Sequence, residues 1–156
     1  MPRFTLIPLD ERPVNARYSQ LIAQVANLAF DATQHPRPSG ERVADLIAAI
    51  HAQSRLVLAD VTTLEEAHSA QASGADFIAL TLNSYTEETA DNGTPDFALI
   101  CAMASQLRVP MIAEGHIRTP QQPRQALGRG ALAVVVGSGI TRPQIITAHF
   151  VRQLCA

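Results

Sequence analysis

The residues of this chain whose types and placement could do chemistry are the polar groups that stop short apolar runs. Asp31-Ala32-Thr33, Asp60, Glu114-Gly115 and Gly137-Ser138 each stand where such a run ends. Carboxyl groups beside glycines that permit close backbone approach suit proton abstraction next to a carbonyl, with an anionic group of the substrate anchored nearby. Glu114 follows Met-Ile-Ala and precedes Gly-His-Ile. Its carboxyl is therefore expected to be partly desolvated, with its pKa biased upward toward use as an acid or base. The alternative is a carboxylate paired with a neighbouring arginine. Asp60 also has two readings, a site carboxylate or a cap for a helix starting near Thr63. Gly137-Ser138-Gly139 leads through Ile140-Thr141-Arg142 toward a proline. Backbone N–H groups freed by glycine, a hydroxyl and a helix N-terminus make an anion cradle, to which Arg142 adds a bidentate contact. The plainer alternative is a glycine turn with a surface arginine.

Other chemistries find no support. The five histidines show no metal-ligand spacing and read as surface or polar-interior residues; His116 alone lies beside a candidate acid. No serine sits in a G-x-S-x-G elbow, and neither cysteine has a nearby histidine. No G-x-G-x-x-G follows a first strand, so no dinucleotide is expected, and neither is any other cofactor or metal. Cys101 and Cys155 are read as core fillers. The 12 basic residues are all arginine, so the amine most often tuned for proton transfer is missing. With 14 acidic residues the net charge is −2, which leaves no footprint for nucleic acid or an anionic membrane. The apolar run near the start, broken by Pro8, is too brief for a signal peptide or a membrane span, so a cytoplasmic address is expected.

The elements that must position these groups follow from the hydrophobic pattern. Nearly continuous apolar runs at 4–9, 28–31, 56–61, 77–82, 111–114 and 133–137 read as strands buried on both faces. Amphipathic stretches at 15–26, 40–53, 63–73, 95–107, 119–129 and 142–154 read as helices. Thr63 with Glu66 forms a capping box, Pro120 and Pro143 suit helical first turns, and Gly74, Gly128 and Gly130 read as helix stops. Strand follows strand every 20 to 30 residues, which predicts βα units with parallel strands and a site on the edge formed by the strand C-termini. The loop from 83 to 95 is the longest connection and a candidate lid. Six units fill an incomplete (β/α)8 barrel, since a whole one takes about 250 residues and this chain has 156.

Residues 28–154 resemble the latter part of the N-acetylmannosamine-6-phosphate 2-epimerases. The matching segments are Asp-Ala-Thr with Pro-Arg-Pro (31–38), Leu-Ala-Asp-Val-Thr-Thr-Leu-Glu-Glu-Ala (58–67), Thr-Leu-Asn-Ser-Tyr-Thr (81–86), Pro-Asp-Phe (95–97), Ile-Ala-Glu-Gly (112–115) and Val-Val-Gly-Ser-Gly-Ile-Thr-Arg-Pro (135–143). The resemblance implies a barrel that takes an amino-sugar phosphate, opens it to the aldehyde and inverts C2. It carries over Asp60 and Glu114 as active-site carboxylates, Arg142 toward the substrate, and phosphate binding around Gly115, Gly137 and Ser138.

The chain departs from that family in several places. The family's lysine comes from an early strand with no counterpart here. His35 and His116 replace usual arginines, and Asn83-Ser84 replaces Ser-Gly. Residues 1–27 instead resemble, weakly through 6–15, the opening of an unrelated bacterial family. The expected organisation is therefore a non-family βα segment at 1–27, joined by fusion or deletion to an N-terminally truncated barrel at 28–156. Activity is then expected to be impaired, with a non-catalytic phosphate-binding half-barrel as the alternative. The exposed sheet edges favour pairing with a partner or a second copy.

Overall fold

The computed structural model describes residues 5–6, 27–37, 40–81 and 93–154. Six strands, β1 (Thr5–Leu6), β2 (Asn27–Asp31), β3 (Leu56–Asp60), β4 (Phe77–Ala79), β5 (Met111–Ala113) and β6 (Ala133–Val134), pair in parallel in their order along the chain. Helices α1 (Val43–His51), α2 (Leu64–Ala72), α3 (Phe97–Gln106) and α4 (Gln121–Gly128) connect successive strands from β2 to β6. A four-residue helix α5 (Ser138–Thr141) and the longer α6 (Pro143–Leu154) follow. Sequential parallel order with no reversal is the order of a barrel wall, and the fold is a partial (β/α)8 barrel. The helix expected at 15–26 and most of the candidate lid lie outside the described residues.

Alternation along the strands sorts the side chains into two layers. Leu28, Phe30, Val57, Ala59, Ile78, Met111 and Ala113 join Ile47, Ile50, Ala67, Ala70, Ile100, Met103 and Ala126 from the helices in the main core. Ala29, Leu58, Ala79 and Ile112 form a smaller cluster on the opposite face of the sheet, with Phe77 and Ala133 packed against it. Two residues further along each strand, the same parity reaches Asp31, Asp60, Thr81, Glu114 and Val135. Polar groups at the strand ends thus fall on the inner face, on the edge expected for a site.

Helix termini explain most of the differences from the sequence boundaries. The Thr63 hydroxyl accepts from the Glu66 N–H at 3.2 Å while the Glu66 carboxylate accepts from the Thr63 N–H at 3.3 Å, so both halves of the capping box are present. Asp96 caps α3 by accepting from the Leu99 N–H at 2.9 Å, which starts that helix at Phe97 rather than Pro95. Gly40, at φ +74°, is outside helical space, and α1 begins after it at Val43. Gly74 and Gly130, both at φ +100°, close α2 and α4, and the residue after each returns its N–H to the carbonyl five residues earlier. Gly128 is not a stop; it is the last helical residue of α4. Cys101 is exposed on α3 rather than buried, because its position faces away from the layer made by Ile100 and Met103. Cys155 lies outside the described residues.

Candidate active site

Strand register brings the candidate acids together. Asp60 pairs with Ala79, and Ala79 with Ile112. Beyond the strands the ladder continues, with Val61 N–H donating to Ala79 O, Leu80 N–H to Ile112 O, and Val135 N–H to Ala113 O, at 2.9 to 3.1 Å. Thr81 and Glu114 are therefore held by backbone pairing immediately before them, not by loop chance. The Thr81 hydroxyl lies 2.8 Å from Asp60 Oδ1 and 3.2 Å from Glu114 Oε2. Sequence reasoning passed over Thr81 as a site residue, although strand parity from Ala79 points to it.

Burial tunes both acids. Asp60 is only 4% exposed, and desolvation lifts its pKa to about 7 against the Thr81 hydrogen bond, which lowers it. The charges of Glu114 and Asp31 reinforce the rise, Asp31 being its register partner on β2. Desolvation also raises the pKa of Glu114, again opposed by Thr81. Neither alternative role from the sequence holds among the described residues. Asp60 does not cap α2, whose cap is Thr63, and the polar partner of the Glu114 carboxylate is Thr81 rather than an arginine.

Glu114 opens onto a cavity of about 410 Å³ lined by Thr81, Glu114, Gly115, His116, Ile117, Val135, Gly137 and Ser138. The carboxyl and the Gly137-Ser138 segment thus share one chamber. The loop that follows Glu114 turns sharply, with Gly115 at φ +99° and His116 at φ +52°. Positive φ in histidine is uncommon, and such strain persists where surrounding structure holds it. Here His116 is buried, lines the cavity, and accepts a 3.4 Å contact at Nδ1 from Arg118.

On the far wall, Gly139 packs directly against the Ile117 carbonyl, where a β-carbon would overlap it. Ile140 and Thr141 return their N–H groups to Gly137 O at 3.0 and 3.1 Å. The amides of Ser138 and Gly139, as at any helix start, have no intrahelical acceptor. Arg142 ends α5, is exposed, and is not part of the cavity lining. Gly115, Gly137 and Ser138 are therefore brought to Glu114, while Arg142 stands apart and Asp60 reaches it only through Thr81. Among the described residues no group of three or more His, Cys, Asp or Glu side chains is placed to hold a metal ion, and no helix is long and apolar enough to cross a membrane.

Comparison with known proteins identifies relatives of the chain and agrees with its fold. A family model described as "Putative N-acetylmannosamine-6-phosphate epimerase" matches residues 16–156, a span that begins within the first 27 residues. A relative from Clostridium perfringens named "Putative N-acetylmannosamine-6-phosphate 2-epimerase" is 45% identical over 123 residues, covering 79% of this chain and 56% of the relative. One of the same name from Clostridioides difficile is 41% identical over 127 residues, covering 81% and 57%. The solved structure of the N-acetylmannosamine-6-phosphate 2-epimerase from Clostridium perfringens superposes with a TM-score of 0.81 at 40% identity, over 86% of this chain and 59% of that one. The chain thus spans a little over half the length of the relatives it matches. On the family match and these identities, the chain belongs to the N-acetylmannosamine-6-phosphate epimerase family.

Proposed function

We propose that the cavity beside Glu114 binds an N-acetylated hexosamine 6-phosphate and serves proton transfer at C2, the chemistry that interconverts N-acetylmannosamine 6-phosphate and N-acetylglucosamine 6-phosphate. One observation carries this reading: a desolvated carboxyl and the Gly137-Ser138 backbone segment line the same chamber. The phosphate sits against the backbone of Gly115, Gly137 and Ser138, whose freed amides and helix start favour negative charge. Arg142, which ends α5, is the arginine assigned to the substrate in this reading. Glu114 then exchanges a proton at C2 of the opened sugar, and Asp60 supports it from β3 through Thr81.

Inversion needs a proton-transfer group on each face of C2, and this chain has no lysine to supply the second. Loss of one such group costs about 10²- to 10⁴-fold. Within this sequence, Glu114 is the group that carries exchange at C2 in this reading. Hydrogen exchange at C2 in D2O tests this, with Glu114→Gln as the control. Wild-type exchange no faster than that of the variant sinks the catalytic reading.

The missing lysine favours one alternative, a phosphate-binding half-barrel without turnover. It predicts that sugar phosphates raise the melting temperature while C2 exchange stays at background. In either case β6, an edge strand among the described residues, is suited to pair with a second copy of the chain.

A further inference from the structure

We propose that Thr81 is a proton-relay residue that joins Asp60 to Glu114, so that the two carboxyls share a single proton and the buried one reloads the one facing the cavity. A hydroxyl has one proton to donate and lone pairs to accept with. Its oxygen lies within hydrogen-bonding distance of a carboxyl oxygen on each side, 2.8 Å on β3 and 3.2 Å beyond β5. With both carboxyls ionised, Thr81 satisfies one and turns a lone pair on the other. With one proton added, every contact is satisfied in either direction: Asp60 donates to Thr81 and Thr81 to Glu114, or Glu114 donates to Thr81 and Thr81 to Asp60.

Passage between these two states moves one proton from Asp60 to the Thr81 oxygen while the Thr81 proton moves to Glu114. Asp60 ends as the carboxylate and Glu114 as the acid. One negative charge stays on the pair throughout, and no other reactant is consumed.

Position gives the relay its direction. Asp60 is 4% exposed and absent from the cavity lining, whereas Thr81 and Glu114 both line it. Asp60 therefore has no direct path to a bound molecule there. Asp31, its register partner on β2, faces it with like charge and adds to the pressure for a shared proton. His116, two residues after Glu114, lines the same cavity. The catalytic use of the relay rests on the proposed role of Glu114, but the sharing of the proton does not.

The test uses Thr81→Val, which keeps shape and removes the hydroxyl, and Thr81→Ser, which keeps the hydroxyl. Side-chain carboxyl ¹³C NMR titration of the full chain should show Asp60 and Glu114 each sensing both steps of a coupled titration. Thr81→Val should weaken this coupling, leaving only the direct charge interaction between the two carboxyls, and Thr81→Ser should restore it. Where C2 exchange is measurable, Thr81→Val should lower it by about 10²-fold and shift its pH profile, with recovery in Thr81→Ser. Identical carboxyl titrations in the wild type and folded Thr81→Val overturn the relay. Coupled titration without C2 exchange upholds the relay and rejects the epimerase reading.

Discussion

Gly139 lies so close to the carbonyl oxygen of Ile117 that a β-carbon on it would overlap that oxygen. This contact locks the turn carrying Gly137 and Ser138 against the loop that leaves Glu114, and so fixes the distance between the acid and that turn. Gly139→Ala should push the two walls apart and destabilise the protein by about 1–3 kcal/mol. Gly128→Ala is the matched control, since a β-carbon there meets nothing within 4 Å inside a helix. It should stabilise by up to about 1 kcal/mol, because alanine loses less backbone entropy than glycine in a helix. Chemical denaturation of both variants measures the contrast, and equal effects would mean the Gly139 contact is not formed.

Asp60 gives stability a pH dependence opposite to that of an ordinary surface carboxylate. Its pKa is raised from 3.8 to about 7 on folding, so between those values the folded protein holds a proton that the unfolded chain has lost. The contribution is full below the lower value and is lost as pH rises toward the upper, by up to about 4 kcal/mol. Asp60→Asn is neutral throughout and should remove this slope. The difference in unfolding free energy between wild type and Asp60→Asn, followed from pH 5 to pH 8, should therefore move against the wild type as pH rises.

A second carboxylate, Glu66, does structural work next to the site. It accepts from the Thr62 N–H at 2.8 Å, the Thr62 hydroxyl at 2.6 Å and the Gln34 N–H at 3.1 Å, besides completing the capping box. Those bonds tie the loop after β2 to the start of α2. Glu66→Ala should leave several buried donors unsatisfied and destabilise by about 3 kcal/mol. Glu66→Gln keeps the acceptor oxygen and should lose less. Melting temperatures of the two variants check the order, and a Gln variant as damaged as Ala would contradict it.

These residues show why some of the molecule was readable before its fold was known. The runs around Val57, Ile78 and Met111 announce strands because both faces are buried, and the Thr63–Glu66 spacing announces a helix start because the cap is local. Glu114 and Gly137, which each stand where an apolar run stops, line one cavity. Thr81 was not singled out, since its contacts to Asp60 and Glu114 depend on two neighbouring strands brought into register, which spacing along one chain does not encode. Arg142, expected toward the substrate, lies outside the cavity lining for a similar reason. Its distance from Ser138 in sequence says nothing about the separate short helix α5 that carries it out of the cavity lining. Cys101 was read by residue type, and its exposure is set by which face of α3 meets the core.

Among the described residues β6 pairs on one side only, with β5. Leu132 before it and Val135 after it are 55% and 41% exposed, and on α6 Phe150 and Val151 are 66% and 50% exposed. An edge with unpaired backbone groups beside exposed large apolar side chains favours strand pairing or face-to-face burial with another chain. Burying each such side chain contributes about 1.5–3 kcal/mol, so removing two should weaken self-association by roughly a hundredfold or more. Leu132→Glu with Phe150→Glu leaves the cavity lining untouched and adds charge to the edge. Light scattering across a concentration series should find the wild type associating and the double variant monomeric over the same range. A wild type that stays monomeric at every concentration would show that the edge has no partner in a second copy.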